Sequence, residues 1–132
     1  MNEAVSVYEA AGGEETFTRL VERFYAGVAE DPLLRRLYPA DPSMFSAAAE
    51  HLRLFLIQYW GGPGWYSEQR GHPRLRMRHM PFSIGRSERD AWMNHMLSAI
   101  ASLELDPAVR HAFLEYFETA STAMMNRGEP PF

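Results

Sequence analysis

Apolar residues recur with a helical period along most of the chain. Phe17, Leu20, Val21, Phe24, Tyr25 and Val28 fall at i, i+3, i+4, i+7, i+8 and i+11, the single stripe of an amphipathic helix. Gly12-Gly13 marks a corner ahead of it, after a short segment around Val7–Ala11. Asp31-Pro32 closes that helix and opens a short one over Leu33–Leu37, which Pro39 stops. Phe45, Ala48, Leu52, Phe55, Leu56 and Tyr59 repeat the pattern until Gly61-Gly62-Pro63-Gly64 breaks it. Further on, Ser87 reads as an N-cap with Asp90 at the third helical position, an acidic variant of the capping box. Behind it runs the stripe Trp92, His95, Met96, Ala99, Ile100 and Leu103. Asp106-Pro107 then starts a last stripe of Val109, Ala112, Phe113, Tyr116, Phe117, Ala120 and Met124. No segment alternates with the period of a strand, and no internal repeat or low-complexity stretch interrupts the series. The expected fold class is all-α, with four long helices in two sequential pairs.

Between the two pairs, residues 61–85 lose their periodicity, with Gly71, Pro73 and Pro81 interrupting them. A plain four-helix bundle joins its helices by short loops, and a long irregular stretch in a small domain usually serves a function. The connection is also charged. Five arginines (Arg70, Arg74, Arg76, Arg78 and Arg86) and no acid lie between Gln69 and Arg86, in a chain whose net charge is −4. The remainder therefore carries about −9, and a basic patch on an acidic body points to a local anionic partner. Nucleic acid is a poor candidate, because the patch is short and the rest of the surface repels phosphate. At 132 residues the chain is expected to form one domain, 1–132. It has no cysteine, which excludes disulfides, a thiol nucleophile and cysteine-based zinc or iron–sulfur sites. The start, Met1-Asn2-Glu3-Ala4-Val5, lacks the basic and apolar regions of a signal peptide, and no apolar run reaches the roughly 18 residues of a membrane span. A cytoplasmic protein without a membrane span is the expectation.

Three aromatic side chains with polar tips stand out: Tyr25 and Trp92 on inward stripes, and Tyr38 just after the short helix. Buried tips of this kind need partners, and each taken singly reads as an ordinary core aromatic. Of the histidines, His51, His95 and His111 lie in helices, where packing or surface roles are the rule. His72 and His79 lie in the irregular segment with no carboxylate or cysteine beside them to complete a zinc set. His79 differs in context, within Leu75-Arg76-Met77-Arg78-His79-Met80-Pro81-Phe82. The proline two residues on frees a helix end to present the imidazole.

Five stretches taken together carry a family resemblance. They are Arg23-Phe24-Tyr25-Ala26, Arg35-Arg36-Leu37-Tyr38-Pro39, Gln58-Tyr59-Trp60-Gly61-Gly62-Pro63, Gly71-His72-Pro73-Arg74-Leu75-Arg76-Met77-Arg78-His79 and Asp90-Ala91-Trp92. In order and spacing they resemble the truncated haemoglobins of the second group, from residue 12 to about 126, most specifically in the Trp60–Phe82 block. The resemblance implies a two-over-two helical sandwich in which helices 43–60, 87–103, 106–126 and one near 15–29 enclose haem b, iron protoporphyrin IX. It makes His79 the proximal iron ligand and places Tyr25, Tyr38, Ala48, Leu52, Phe55 and Trp92 at distal positions. His51, Tyr66 and Arg78 fall at the haem edge, where they are expected to meet the propionates. At His51 relatives often carry arginine or lysine instead.

Elementary chemistry agrees with that assignment. Two propionates account for an arginine patch on an acidic protein. One imidazole ligand leaves the sixth position of the iron open. Ala48, where many globins place a histidine, leaves the entrance clear, so the hydrogen-bond donors are expected to be the indole N–H of Trp92 and the hydroxyls of Tyr25 and Tyr38. Two or three such bonds at roughly 1–1.5 kcal/mol each total about 2–4.5 kcal/mol, slowing oxygen release by roughly 30- to 1000-fold. The expected function is reversible, high-affinity binding of O2, with CO and NO as further ligands. Slow release suits NO oxidation or peroxide reduction better than bulk delivery. No GxGxxG motif is present, so such turnover needs a separate reductase. A homodimer is a candidate assembly. The rival reading is a haem-free helical interaction module using the Arg70–Arg78 patch, which haem would not stabilise.

Overall fold

Each long apolar stripe closes into a helix in the computed structural model, which describes residues 5–127. Residues 1–4 and 128–132 lie outside the described residues, and with them both ends of the expected domain and most of the acidic N-terminal start; so does the side chain of Arg76. Helix α1 (Val7–Ala11) is capped by the hydroxyl of Ser6 and ended by Gly12 at φ 111°, a left-handed conformation that glycine adopts without a Cβ penalty. Helix α2 (Glu14–Ala29) buries all six residues of its stripe. Asp31 caps α3 (Pro32–Arg35), and Asp41 caps α4 (Pro42–Tyr59). Helices α7 (Arg86–Ala101) and α8 (Pro107–Ala123) complete the long set. Among the described residues there is no strand.

The irregular connection contains two short helices that periodicity did not announce, α5 (Trp65–Arg70) and α6 (Leu75–His79). Neither is two turns long, so no apolar repeat can accumulate, and helices this short are held by their surroundings. The short helix expected over Leu33–Leu37 is α3, which ends at Arg35 and leaves Tyr38 beyond its last turn.

The cap of α7 also differs from expectation. Gly85 is the N-cap and Glu88 the third helical residue, whose Oε1 accepts the Gly85 N–H at 2.7 Å. Ser87 and Asp90 are exposed residues inside the helix. A carboxylate reaching back to the cap N–H needs no side chain at the cap itself, so glycine serves where a hydroxyl was looked for.

Helix α2 packs on α4 and α7, and α7 on α8, in the two-over-two arrangement. An aromatic cluster joins them: Phe17 of α2 lies 5.6 Å from Phe113 of α8, and Trp60 stacks on Phe113 at 4.4 Å. His95 of α7 bonds Asp31 at 2.8 Å, and a Cβ at Gly27 would collide with its imidazole, which accounts for the glycine there. That bond with His95 is the main reason the Asp31 carboxyl titrates below its ordinary range.

Among the described residues Glu88 is the buried charged side chain, only 2% exposed. Its carboxylate takes the Gly85 N–H, the Arg127 guanidinium at 2.7 Å and that of Arg36 at 3.5 Å, joining α7 to the chain beyond α8 and to the end of α3. The Gly85 N–H and these two cations hold its pKa below the ordinary value. A depressed folded-state pKa contributes stability above the unfolded value near 4.3, and that contribution is lost as pH falls through the folded value. We predict that Glu88→Gln lowers stability by about 2–3 kcal/mol at pH 7, since two guanidinium groups lose their anion. Denaturant melts should show the gap closing below about pH 4.

Candidate functional site

His79 is the last residue of α6. Its Nδ1 lies 2.6 Å from the carbonyl oxygen of Leu75, one turn back. A carbonyl can only accept, so Nδ1 carries the proton and Nε2 keeps its lone pair. This is the way proteins orient an imidazole that ligates a metal. The half-buried ring lines a cavity of about 350 Å³, within the usual range for small-molecule sites.

Arginines and a histidine form one edge of the cavity. Arg78 donates from Nε to the Pro73 carbonyl at 2.8 Å and from Nη2 to the Arg70 carbonyl at 3.2 Å, tying α6 to the end of α5. Arg70 donates from Nη1 to His51 Nε2 at 3.2 Å, and its own Nε is buried without a partner. Burial first, then the charges of Arg70 and Arg78, push the His51 pKa down. His51 is therefore neutral at pH 7 and accepts a bond here, so the positive charge at this edge belongs to the two arginines. Buried Tyr66 lies under Arg70, one helical turn earlier on α5.

A second wall comes from α2, α4 and α7. Tyr25 and Tyr38 meet edge to face at 5.5 Å, beside Trp92. Tyr25 and Trp92 both act electrostatically on the Tyr38 phenol. Burial pushes both phenol pKa values up, so both tyrosines stay protonated and able to donate. Ala48, Leu52 and Phe55 of α4 supply apolar surface.

All ten residues picked out from the sequence line this one cavity: Tyr25, Tyr38, Ala48, His51, Leu52, Phe55, Tyr66, Arg78, His79 and Trp92. His72, His95 and His111 do not; His95 pairs with Asp31 and His111 with Glu115. Two further arginines line the cavity: Arg70, which the sequence placed in the basic patch without a site role of its own, and Arg89, which it did not pick out. Arg70 sits four residues after Tyr66, and Arg89 three before Trp92, so each shares a helix face with a residue already singled out. Arg89 also has a buried Nε with no partner.

A mostly apolar cavity holding one orientable imidazole, with guanidinium groups at an edge, defines a helical protein built for an apolar metal chelate with anionic substituents. The profile of the bacterial-like globins matches residues 6–126. Group 2 truncated hemoglobin YjbI of Bacillus subtilis is 39% identical over 122 residues, 92% of this chain and 89% of that protein. A thermostable hemoglobin from the actinobacterium Thermobifida fusca superposes with a TM-score of 0.91 at 55% identity, covering 95% of this chain and all of the other. The group II truncated hemoglobin of Bacillus anthracis superposes equally well, TM-score 0.91, at 32% identity and 98% of both chains. The chain belongs to the bacterial-like globins, among the group II truncated haemoglobins.

Membership carries haem-based oxygen binding, and the cavity fits the cofactor. His79 lines it with Nδ1 already spent on Leu75, the walls suit a porphyrin, and the orphaned buried Nε of Arg70 leaves a donor for a propionate. We predict that Arg70→Ala releases haem about tenfold faster than the parent, the loss of one charge-assisted bond. His51→Ala, which removes a neutral group, should change release by less than about threefold. Transfer of haem to an excess of a haem-scavenging apoprotein measures both.

Proposed function

We propose that the chain holds haem b through His79 and binds O2, CO and NO reversibly, releasing O2 slowly. When bound, haem supplies an iron whose sixth position accepts a diatomic ligand. The observation that carries the reading is the convergence on one cavity of His79, its Nδ1 spent on the Leu75 carbonyl, with the donors of Tyr25, Tyr38 and Trp92. Each of these three carries a hydrogen that a partly negative guest would accept.

A tight, slowly releasing site does not suit bulk delivery. It suits reactions of the held ligand with NO, or the reduction of peroxide, with electrons from a separate protein. The arginines favour a guest in the cavity over a partner on an outward face: Arg70 and Arg78 both line the cavity and are held there by bonds to His51 and to backbone carbonyls.

The deciding experiment is the visible spectrum of the purified protein titrated with haem, then reduced and exposed to CO. A sharp band saturating at one haem per chain and shifting with CO supports the proposal. A broad spectrum like that of free haem overturns it.

A further inference from the structure

Helix α6 has only five residues, and a helix that short does not hold its own position. The bond from Nδ1 to Leu75 sets the rotation of the His79 ring, but both partners lie inside α6 and move with it. Something outside α6 must fix where the imidazole stands.

We infer that Asn126 is a positioning residue for His79, clamping the segment 79–84 to the end of the chain's last long helix. The backbone carbonyl of His79 is one of the C-terminal carbonyls that a helix leaves without intrahelical partners. It accepts from the Phe82 N–H at 3.0 Å and from Asn126 Nδ2 at 3.0 Å. The same amide nitrogen donates to the Phe82 carbonyl at 2.6 Å, and Asn126 Oδ1 accepts the Ile84 N–H at 2.9 Å. Both donor hydrogens and the acceptor oxygen of the amide are thereby spent on one segment. The backbone adds to it, the Asn126 N–H donating to the Ile84 carbonyl at 2.9 Å.

This is an unusual use of an exposed asparagine, whose amide would ordinarily be left to water. The segment it grips is part of the site, since His79, Phe82 and Ile84 all line the cavity. The other end of the clamp is rigid. Asn126 follows α8 by three residues, and α8 is anchored in the core through Phe113 and Phe117, both fully buried. Asn126 therefore refers the backbone of His79 to the core. Neighbouring Arg127 reaches Glu88 instead and does not touch the His79 carbonyl.

The inference rests on the reading of His79 as the iron ligand, so the test begins with the haem-loaded parent. The iron–histidine stretching band in the resonance Raman spectrum of the reduced, ligand-free protein reports that bond directly. If the parent lacks the band, the proposed function fails, and this inference falls with it for that separate reason. Asn126→Asp keeps the acceptor for Ile84 and removes both donors. Asn126→Gln keeps the amide but displaces it by one methylene, and an exposed position tolerates both changes in folding. Arg127→Ala serves as the comparison.

Asn126→Asp is expected to shift or split the band and to speed haem release about tenfold, with Asn126→Gln in between. Arg127→Ala should leave the band where it is. An unmoved band in both Asn126 variants, with haem release within about twofold of the parent, overturns the inference. So does a fall in melting temperature alone with the band unmoved, since that describes a merely structural residue.

Discussion

Replacing His79 by alanine is expected to abolish the sharp haem spectrum and with it the stabilisation that haem gives the fold. His79 is the imidazole that reaches this cavity with its Nε2 lone pair free; neutral His51 has its Nε2 taken by Arg70. Alanine leaves the arginine edge and the apolar walls in place, so weak, heterogeneous haem binding should persist. A ligand that binds only the folded state stabilises it by roughly 4 kcal/mol at a thousandfold excess over its dissociation constant. Weakening haem binding at least about a hundredfold removes roughly 2.7 kcal/mol of that, or roughly 10 °C in melting temperature for a domain of this size. Melts of parent and variant, with and without haem, measure it. The haem-free proteins should melt within a few degrees of each other, because the half-buried imidazole lines a cavity that the apoprotein does not fill. Equal haem-dependent shifts in parent and His79→Ala would show that another residue holds the iron.

The second large effect is expected at Tyr38. Removing its hydroxyl in Tyr38→Phe takes away one of the donors that line the cavity, and a bond to a partly negative oxygen is worth about 1.5–3 kcal/mol. Oxygen release should therefore accelerate about 10- to 100-fold. CO carries little negative charge, so its release should change by less than about threefold. Tyr25 and Trp92 both interact with the Tyr38 phenol, so Tyr25→Phe and Trp92→Phe are expected to work largely through it and to cost only about two- to fivefold each. The Tyr38→Phe/Trp92→Phe double variant should then behave like Tyr38→Phe alone, the non-additivity of residues in one chain of bonds. Stopped-flow replacement of O2 by CO decides between this serial arrangement and three independent donors. Independent donors would give multiplying effects and a large loss at Trp92 by itself.

Much of the protein is legible in one dimension. A helix longer than three turns writes its buried face into the spacing of its apolar residues, so α2, α4, α7 and α8 could be read within a few residues of their ends. A cap built from a side chain two residues away, as at Asp31, is likewise local. The ten residues picked out along the chain all line one cavity.

The tertiary structure decided what depends on distances between elements. Helices α5 and α6 are too short to show a period and exist because their surroundings hold them. Glu88 looks like any acid in a first helical turn until folding brings Arg36 and Arg127 to it from 52 and 39 residues away. His51 reads as a propionate contact at the cofactor edge, and only the packed structure shows that burial, then the charges of Arg70 and Arg78, lower its pKa. The reach of Asn126 to a carbonyl 47 residues earlier belongs to the same class. Periodicity records which face of an element avoids water. Which donor meets which acceptor is settled only when the elements are packed, since burial makes those few bonds obligatory and their sequence separations leave no local trace.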